Sequence, residues 1–508
     1  MTAATAWSVA LIGMETTLIE VEAAIGNGLP KTVLVGLPDT SLYEARDRGH
    51  AAVASSGLPW PSQLVTINLT PATLPKTGSH YDLAIVTAVL AAAGTVPQEL
   101  AARLVMMGEL GLDGRVRRVR GVLPGLLAAR EAGFERAVVP ADQVGEASLV
   151  EGLTIWGVRS LTDLVDVLHG RPVVLPTAQA TPPESPGHLP DLAEVVGQDE
   201  ARFALEVAAA GRHHLYLSGP PGVGKTMLAE RLPGLLPPLT SVESLEVSAI
   251  HSLAGHDLNT GLITRPPYAD PHRSASLASI IGSGNRTARP GAISLAHRGV
   301  LFLDEAPEFG AKTLDALRTP LESGSVTISR AQVQARFPAR FQLVMAANPC
   351  PCGNHGLTGA ACRCAPMAVR RYAERISGPI LDRIDLHQQL VPVRKAYLKA
   401  RQSPGESTAV VAQRVAEARL RQARRLAGTP WLTNGEVPGS YLRSGLPSAQ
   451  GLDLVDHALV TGRLSSRGAD KVVRVAWTMA DLAGHDRVER EDIAGALALR
   501  RAERSAAA

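Results

Sequence analysis

The stretch HHLYLSGPPGVGKTMLAERL, residues 213–232, constrains the fold more than any other part of the chain. A short apolar strand, His214–Ser218, leads into Gly219, Pro220, Pro221, Gly222, Val223, Gly224, Lys225 and Thr226, and a helix pattern follows. Glycines let successive backbone N–H groups turn inward as an anion nest, and the new helix N-terminus adds partial positive charge. Lys225 is placed for β and γ phosphates, and the Thr226 hydroxyl suits Mg²⁺. A strand, this loop and a helix in succession predict an ATP-binding α/β fold.

Two further strands carry matching chemistry. In GVLFLDEAPEF, Gly299–Phe309, five apolar residues end in adjacent acids. A buried parallel strand puts such acids at the carboxyl edge of its sheet, where ligands bind. Asp304 is expected to hold Mg²⁺ through water, and Glu305 to act as general base on the attacking water. FQLVMAANP ends a second apolar strand at Asn348, whose amide can orient the same water.

The chain has 508 residues, enough for two to four domains. Its 51 basic and 48 acidic residues nearly cancel, so any nucleic-acid partner must be met by local patches. The N-terminus lacks the features of a signal peptide or anchor, and no stretch is apolar enough for a membrane helix, so a cytoplasmic protein with no membrane partner is expected. PVVLPTAQATPPESPGHLP, Pro172–Pro190, holds six prolines and reads as a linker. Before it, Leu64–Thr70 and Arg136–Pro140 read as strands, and Asp82–Gly94 and Leu123–Gly133 as helices closed by glycine. The expected division is a mixed α/β domain over 1–170, a linker over 171–190, an ATPase core with a parallel sheet over 191–392, and a helical lid and C-terminal domain over 393–508.

All four cysteines lie in CPCGNHGLTGAACRC, at Cys350, Cys352, Cys362 and Cys364. Four thiolates in a tight loop can close a structural tetrahedral Zn²⁺ site. C-x-C pairs are less specific than C-x-x-C, and free thiols, an iron–sulfur cluster or a disulfide remain alternatives. His355 lies within the loop and could replace one thiolate. Because the loop falls between Asn348 and Arg383, metal loss is expected to weaken subunit communication before nucleotide binding. QRVAEARLRQARRLAG puts Arg414, Arg421 and Arg425 on one broad helix face, read as solvated or as a DNA-backbone contact.

DLAEVVGQDEARFALEVAAAGRHHLYLSGPPGVGKT, PGAISLAHRGVLFLDEAPEF, VTISRAQVQARFPARFQLVMAANPCPCG and ISGPILDRIDL resemble the magnesium-chelatase-like AAA+ ATPases of the YifB/ComM family, nearly end to end. The resemblance implies an ATP-hydrolysing ring, usually hexameric, acting on DNA as a helicase-like branch-migration motor in transformation or recombination. It makes Val196, Gly197 and Gln198 neighbours of the adenine, Arg383 an arginine finger reaching the next subunit, and Arg467 the sensor arginine of the lid. A guanidinium suits both roles, and a salt bridge to Asp382 or Asp385 is the structural alternative for Arg383. Two insertions, Ala249–Arg298 and the hairpin Ser325–Phe337 with Arg330 near its tip, are candidates for pore loops that track DNA, or for ring packing.

The first 170 residues resemble the C-terminal proteolytic domain of Lon through NLTPATLPKTGSHYDLAIVTAVL and GELGLDGRVRRVRGVLPGLLAAREAGFERAVVP. Lon's Ser/Lys dyad is missing: His80 takes the serine position, and Leu123 and Gly125 take the likely lysine positions. Ser79 lacks a partner base, so a scaffold or DNA platform is expected there rather than a protease. A chelatase-like ATPase that remodels a protein partner is the main functional alternative, and no D-x-S-x-S motif is present.

Overall fold

The computed structural model describes residues 2–36, 39–177, 190–284, 288–329, 334–356, 361–392, 405–444 and 450–500. Strands Thr2–Ile12 and Glu15–Gly26 pair antiparallel over their whole length, with Gly13 at φ +63° in the turn between them. They stand inside a seven-stranded sheet whose order is Lys31–Val35, Leu64–Thr70, Glu15–Gly26, Thr2–Ile12, Val105–Met106, Arg136–Pro140, Thr154–Val158. Helix Asp82–Ala92 has no polar face, and each of its residues is buried. An all-round apolar helix must be covered all round. The two long strands and helix Thr40–Ser55 cover it, and Gly49 admits the close approach of Val86.

The second sheet is parallel throughout, in the order Tyr268–Ala269, Val300–Leu303, Gln342–Ala347, Leu215–Ser218, Leu386–Gln389. Val300–Leu303 and Gln342–Ala347 are buried at every residue, which is why they read as unbroken apolar runs. Ser218 pairs with Ala347 and Gln389, and Leu303 pairs with Met345. The strand ends therefore line up, and the residues after Ser218, Leu303 and Ala347 emerge along one edge.

Helices Thr408–Arg425, Leu452–Val460, Ser466–Ala483 and Arg490–Arg500 close the C-terminal part. Their apolar faces join the second sheet in one cluster that runs from Leu205 and Leu217 to Trp477 and Ile493. The basic face expected on the first of these helices is not open. Arg414 forks onto Glu206 and Glu406, Arg421 donates to the Asp481 carbonyl, and Arg425 grips Asp481 and Asn434 while stacking 4.3 Å from the Trp477 ring centre. Arg414 ties this helix to the core helix that carries Glu206, while Arg421 and Arg425 bond within the lid, so these arginines are ion-paired or hydrogen-bonded rather than standing free on one face.

The segment Ala249–Arg298 also departs from its reading as one polar excursion. Helix Ser241–Ala254 occupies its start, and Leu258 is buried with Val122 and Val144 of the first sheet's helices, with Leu262 and Ile263 packed alongside. Its apolar residues make it a bracket between the two α/β units. Glu146 accepts from the Ser252 hydroxyl, Asn259 donates to the Asp142 carbonyl, and the Gly121 N–H reaches the Ser252 carbonyl. The expected hairpin forms from Ser325–Ser329 and Gln334–Pro338. Its base receives the N–H of Met14 at the Arg336 carbonyl. Arg330 lies outside the described residues, as does most of the proline-rich stretch. No helix among the described residues is long and apolar enough to cross a membrane.

Candidate functional site

The loop after Ser218 turns on glycine at two kinds of position. Gly219 passes so close to the Leu390 carbonyl that a Cβ would stand 2.6 Å from its oxygen. Gly224, at φ +96°, caps helix Lys225–Leu235 in the left-handed region, where an L side chain is strained. The loop amides and the start of an 11-residue helix form a positive cradle.

Lys225 is buried, and all three of its ammonium donors are engaged: Gly219 O at 2.7 Å, Pro220 O at 2.9 Å and Asn348 Oδ1 at 2.9 Å. Burial lowers its pKa, while Asp304 and Glu305 pull the other way. Thr226 Oγ1 donates to Asp304 Oδ2 at 2.9 Å, and the other Asp304 oxygen accepts the Glu305 N–H at 2.8 Å. Thr226 is exposed, so a hydrated cation has room beside it. Glu305 has φ +49°, a strained conformation for a residue with a side chain, and its carboxylate pairs with Arg273.

Val196, Gly197 and Gln198 adjoin this loop. Val196 and Gln198 line a cavity of about 520 Å³ with Pro220–Gly224 and Asn354. Gln198, itself at φ +56°, donates to the carbonyls of Val223 (3.3 Å) and Val391 (2.7 Å). The structure thus gathers Val196–Gln198, Gly219–Thr226, Asp304, Glu305 and Asn348 around one loop.

Arg383 and Arg467 stand elsewhere. Both line a second cavity of about 530 Å³ and neither lines the phosphate-loop cavity. Arg383 donates to Glu322 and to the Pro379 carbonyl, so its acid partner is neither of the aspartates expected from sequence. Asp382 instead lies 3.5 Å from Arg467, and Asp385 is buried against Lys471 at 2.7 Å. Arg467 remains three-quarters exposed.

The four cysteines form no disulfide, and their sulfurs all lie within 4.8 Å of one another. Cys362 stands 3.8 Å from Cys350 and 3.7 Å from Cys352. Four thiolates on a tetrahedral zinc at ~2.3 Å sit about 3.8 Å apart, so the donor set fits that ion. The backbone N–H groups of Asn354 and Arg363 lower the Cys352 pKa to about 6, and that of His355 reaches Cys350 Sγ at 3.4 Å. His355 contributes this amide, and its ring is not among the clustered donors. The loop is seated on the phosphate loop itself, since Gly353 lies against Pro221.

In the first unit the Lon-like positions are filled for packing. His80 is buried with Nε2 2.7 Å from the Val9 carbonyl, and burial pushes its ring down to about 4. Ser79 donates to Glu109. Leu123 and Gly125 are buried, and even a Cβ at Gly125 would stand 2.6 Å from Met107 Sδ, so no lysine fits there. Sequence reasoning missed Arg273, Glu322 and Asn354. Each acts through a contact between distant segments, and nothing in the local pattern marks it.

Comparison with known proteins agrees with this arrangement. The family model described as magnesium chelatase, subunit ChlI, matches residues 191–398. Subunit ChlI of Mg-chelatase matches 21–143, and the subunit ChlI C-terminal model matches 405–500. An uncharacterized protein of Mycobacterium tuberculosis is 51% identical over 500 residues, covering 97% of this chain and 98% of that one. Competence protein ComM of Haemophilus influenzae is 38% identical over 506 residues, 98% of each chain. The YifB protein of Escherichia coli is 40% identical over 496 residues, 97% of this chain and 96% of its own. On this evidence the chain belongs to the YifB/ComM family of magnesium-chelatase-like proteins, AAA+ ATPases in type.

Proposed function

We propose that the chain is an ATP-hydrolysing motor that works as a homo-oligomeric, hexameric ring on branched or single-stranded DNA, in the cytoplasm. The observation that carries the reading is the meeting of Lys225, the Thr226–Asp304 pair, Glu305 and Asn348 around the phosphate loop at one sheet edge. ATP supplies the phosphoanhydride that is broken. The loop amides and the helix start receive phosphate charge, and Lys225 exchanges carbonyl partners for phosphate oxygen. Thr226 and Asp304 would hold Mg²⁺ between them. Glu305, released from Arg273, takes the proton of the attacking water, and Asn348 orients that water.

Arg383 and Arg467 line a cavity apart from this chain's own phosphate loop, which supports their acting on the nucleotide of a neighbouring copy. Zn²⁺ on Cys350, Cys352, Cys362 and Cys364 would brace the loop that follows Asn348. Action on DNA is supported by the name of the Haemophilus relative, a competence protein, and by the hairpin Ser325–Pro338 as a pore-loop candidate. The match to magnesium-chelatase subunit models over both the core and the C-terminal helices favours a second reading, an ATPase remodelling a protein partner. Steady-state ATPase activity with and without forked or four-way-junction DNA separates the two. A several-fold rise supports the DNA motor. Intact activity with no response to either DNA overturns it in favour of the second reading.

A further inference from the structure

The cysteine loop does more in this fold than close on itself. Cys350 is fully buried, and its carbonyl accepts the Gly353 N–H at 2.9 Å. Its sulfur accepts the His355 N–H, and the Cys352 sulfur accepts the Asn354 N–H. Each amide from Gly353 to His355 is therefore tied to one of the two cysteines ahead of it. Thiolate sulfur is a stronger acceptor than a neutral thiol, so a metal that keeps these sulfurs ionised would also fix the turn.

That turn rests on the nucleotide loop. Gly353, at φ +78°, is so close to Pro221 that a Cβ would stand 2.4 Å from the Pro221 ring. The next residue, Asn354, is half-buried and completes the cavity that Val196, Gln198 and Gly222 also line. Its side-chain amide carries two donors and an acceptor, and among the described residues no protein group engages that amide by a hydrogen bond.

From this we infer that the four-cysteine knuckle is a wall of the nucleotide pocket, with Asn354 as a nucleotide-contacting residue held in place by the bound metal, so that metal occupancy sets nucleotide affinity. The inference rests on the ATP-binding reading above. It reverses the order expected from sequence, because the knuckle touches the phosphate loop directly and its loss acts first on binding.

The test uses the full-length protein, with elemental analysis of its zinc content and fluorescence anisotropy of N-methylanthraniloyl-ADP in excess Mg²⁺. Asn354→Ala is expected to weaken ADP binding about fivefold, the worth of one hydrogen bond, with zinc retained. Gly353→Ala should weaken it too, by displacing the turn from Pro221. Stripping zinc with a chelator that is then removed should weaken binding at least as much, and adding zinc back should restore it. Unchanged affinity in both variants overturns the wall. Unchanged affinity on metal loss, with circular dichroism intact, overturns the coupling. A wild-type protein that binds no ADP analogue overturns the ATP-binding reading itself, a result distinguishable from either of these.

Discussion

Two buried lysines, one in each α/β unit, have almost the same surroundings and different prospects. Lys76 is fully buried and donates to the carbonyls of Gly36 and Pro71. Lys225 is nearly as buried and donates to the carbonyls of Gly219 and Pro220. Burial lowers the pKa of both. The difference lies in the third partner and in what stands nearby. Lys225 also reaches the side chain of Asn348 at 2.9 Å, and it stands beside Asp304, Glu305 and a helix start. Lys76 serves backbone carbonyls only among its described bonds, and the nearby Ser79 hydroxyl is committed to Glu109. A buried lysine is thus a structural plug or a ligand hand according to whether its partners can be exchanged.

The sharpest way to break this contrast is substitution on both sides. Glu305→Gln is expected to cut ATP turnover by roughly 10²–10⁴-fold, the usual worth of a general base, with ATP binding retained. Lys76→Met should leave turnover per folded molecule unchanged and destabilise the chain by about 1–3 kcal/mol, because the buried Gly36 carbonyl and the half-buried Pro71 carbonyl lose their donor. Steady-state ATPase assays and urea denaturation read both. Normal turnover in Glu305→Gln sinks its assignment, and a large activity loss in Lys76→Met would mean the first unit takes part in the chemistry.

Acid should dismantle the protein through its buried histidines, and on both sides of the comparison. Burial pushes His80 in the first unit, and His213 and His214 in the second, down to about 4. Unfolded histidines take up protons near pH 6.5, and the folded ones resist until about 4, so stability is present above 6.5 and is lost as pH falls across that window. Thermal unfolding followed from pH 7.5 to 4.5 is expected to show a falling midpoint. A midpoint unchanged down to pH 5 would contradict the neutral, buried state of these rings.

The sequence displayed the chemistry of the second unit well because strand, turn and helix there obey local rules. The unbroken apolar runs before Asp304 and Asn348 follow from a doubly covered parallel sheet, and the glycines of the phosphate loop follow from its left-handed backbone. Pairings across the fold left no such mark. Arg414, Arg421 and Arg425 read as a basic face because helical spacing shows which residues share a side, and it is silent on Glu206, Glu406 and Asp481 waiting opposite. The bracket formed by Leu258, Leu262 and Ile263 was hidden for the same reason, since a loop's few apolar residues acquire meaning only against the surface they cover.

The smallest expected effect concerns the ion pair between Arg273 and Glu305, which ties the general-base candidate to an insertion. Arg273 is about half exposed and Glu305 somewhat less, and such a pair is worth ~0.2–1 kcal/mol. That is enough to bias the carboxylate without locking it. If Arg273 restrains Glu305, Arg273→Ala should raise basal ATP turnover by up to about fivefold and shrink the response to DNA by the same factor, since the restraint is then already gone. If the guanidinium orients the carboxylate for its water, the same variant lowers turnover, and Arg273→Lys recovers part of it. Either result separates Glu305 from Glu109, whose partner is a hydroxyl inside a packed unit. A variant indistinguishable from wild type in both basal and DNA-stimulated rates would leave the pair without a part in catalysis, and would place the control of Glu305 on its strained backbone alone.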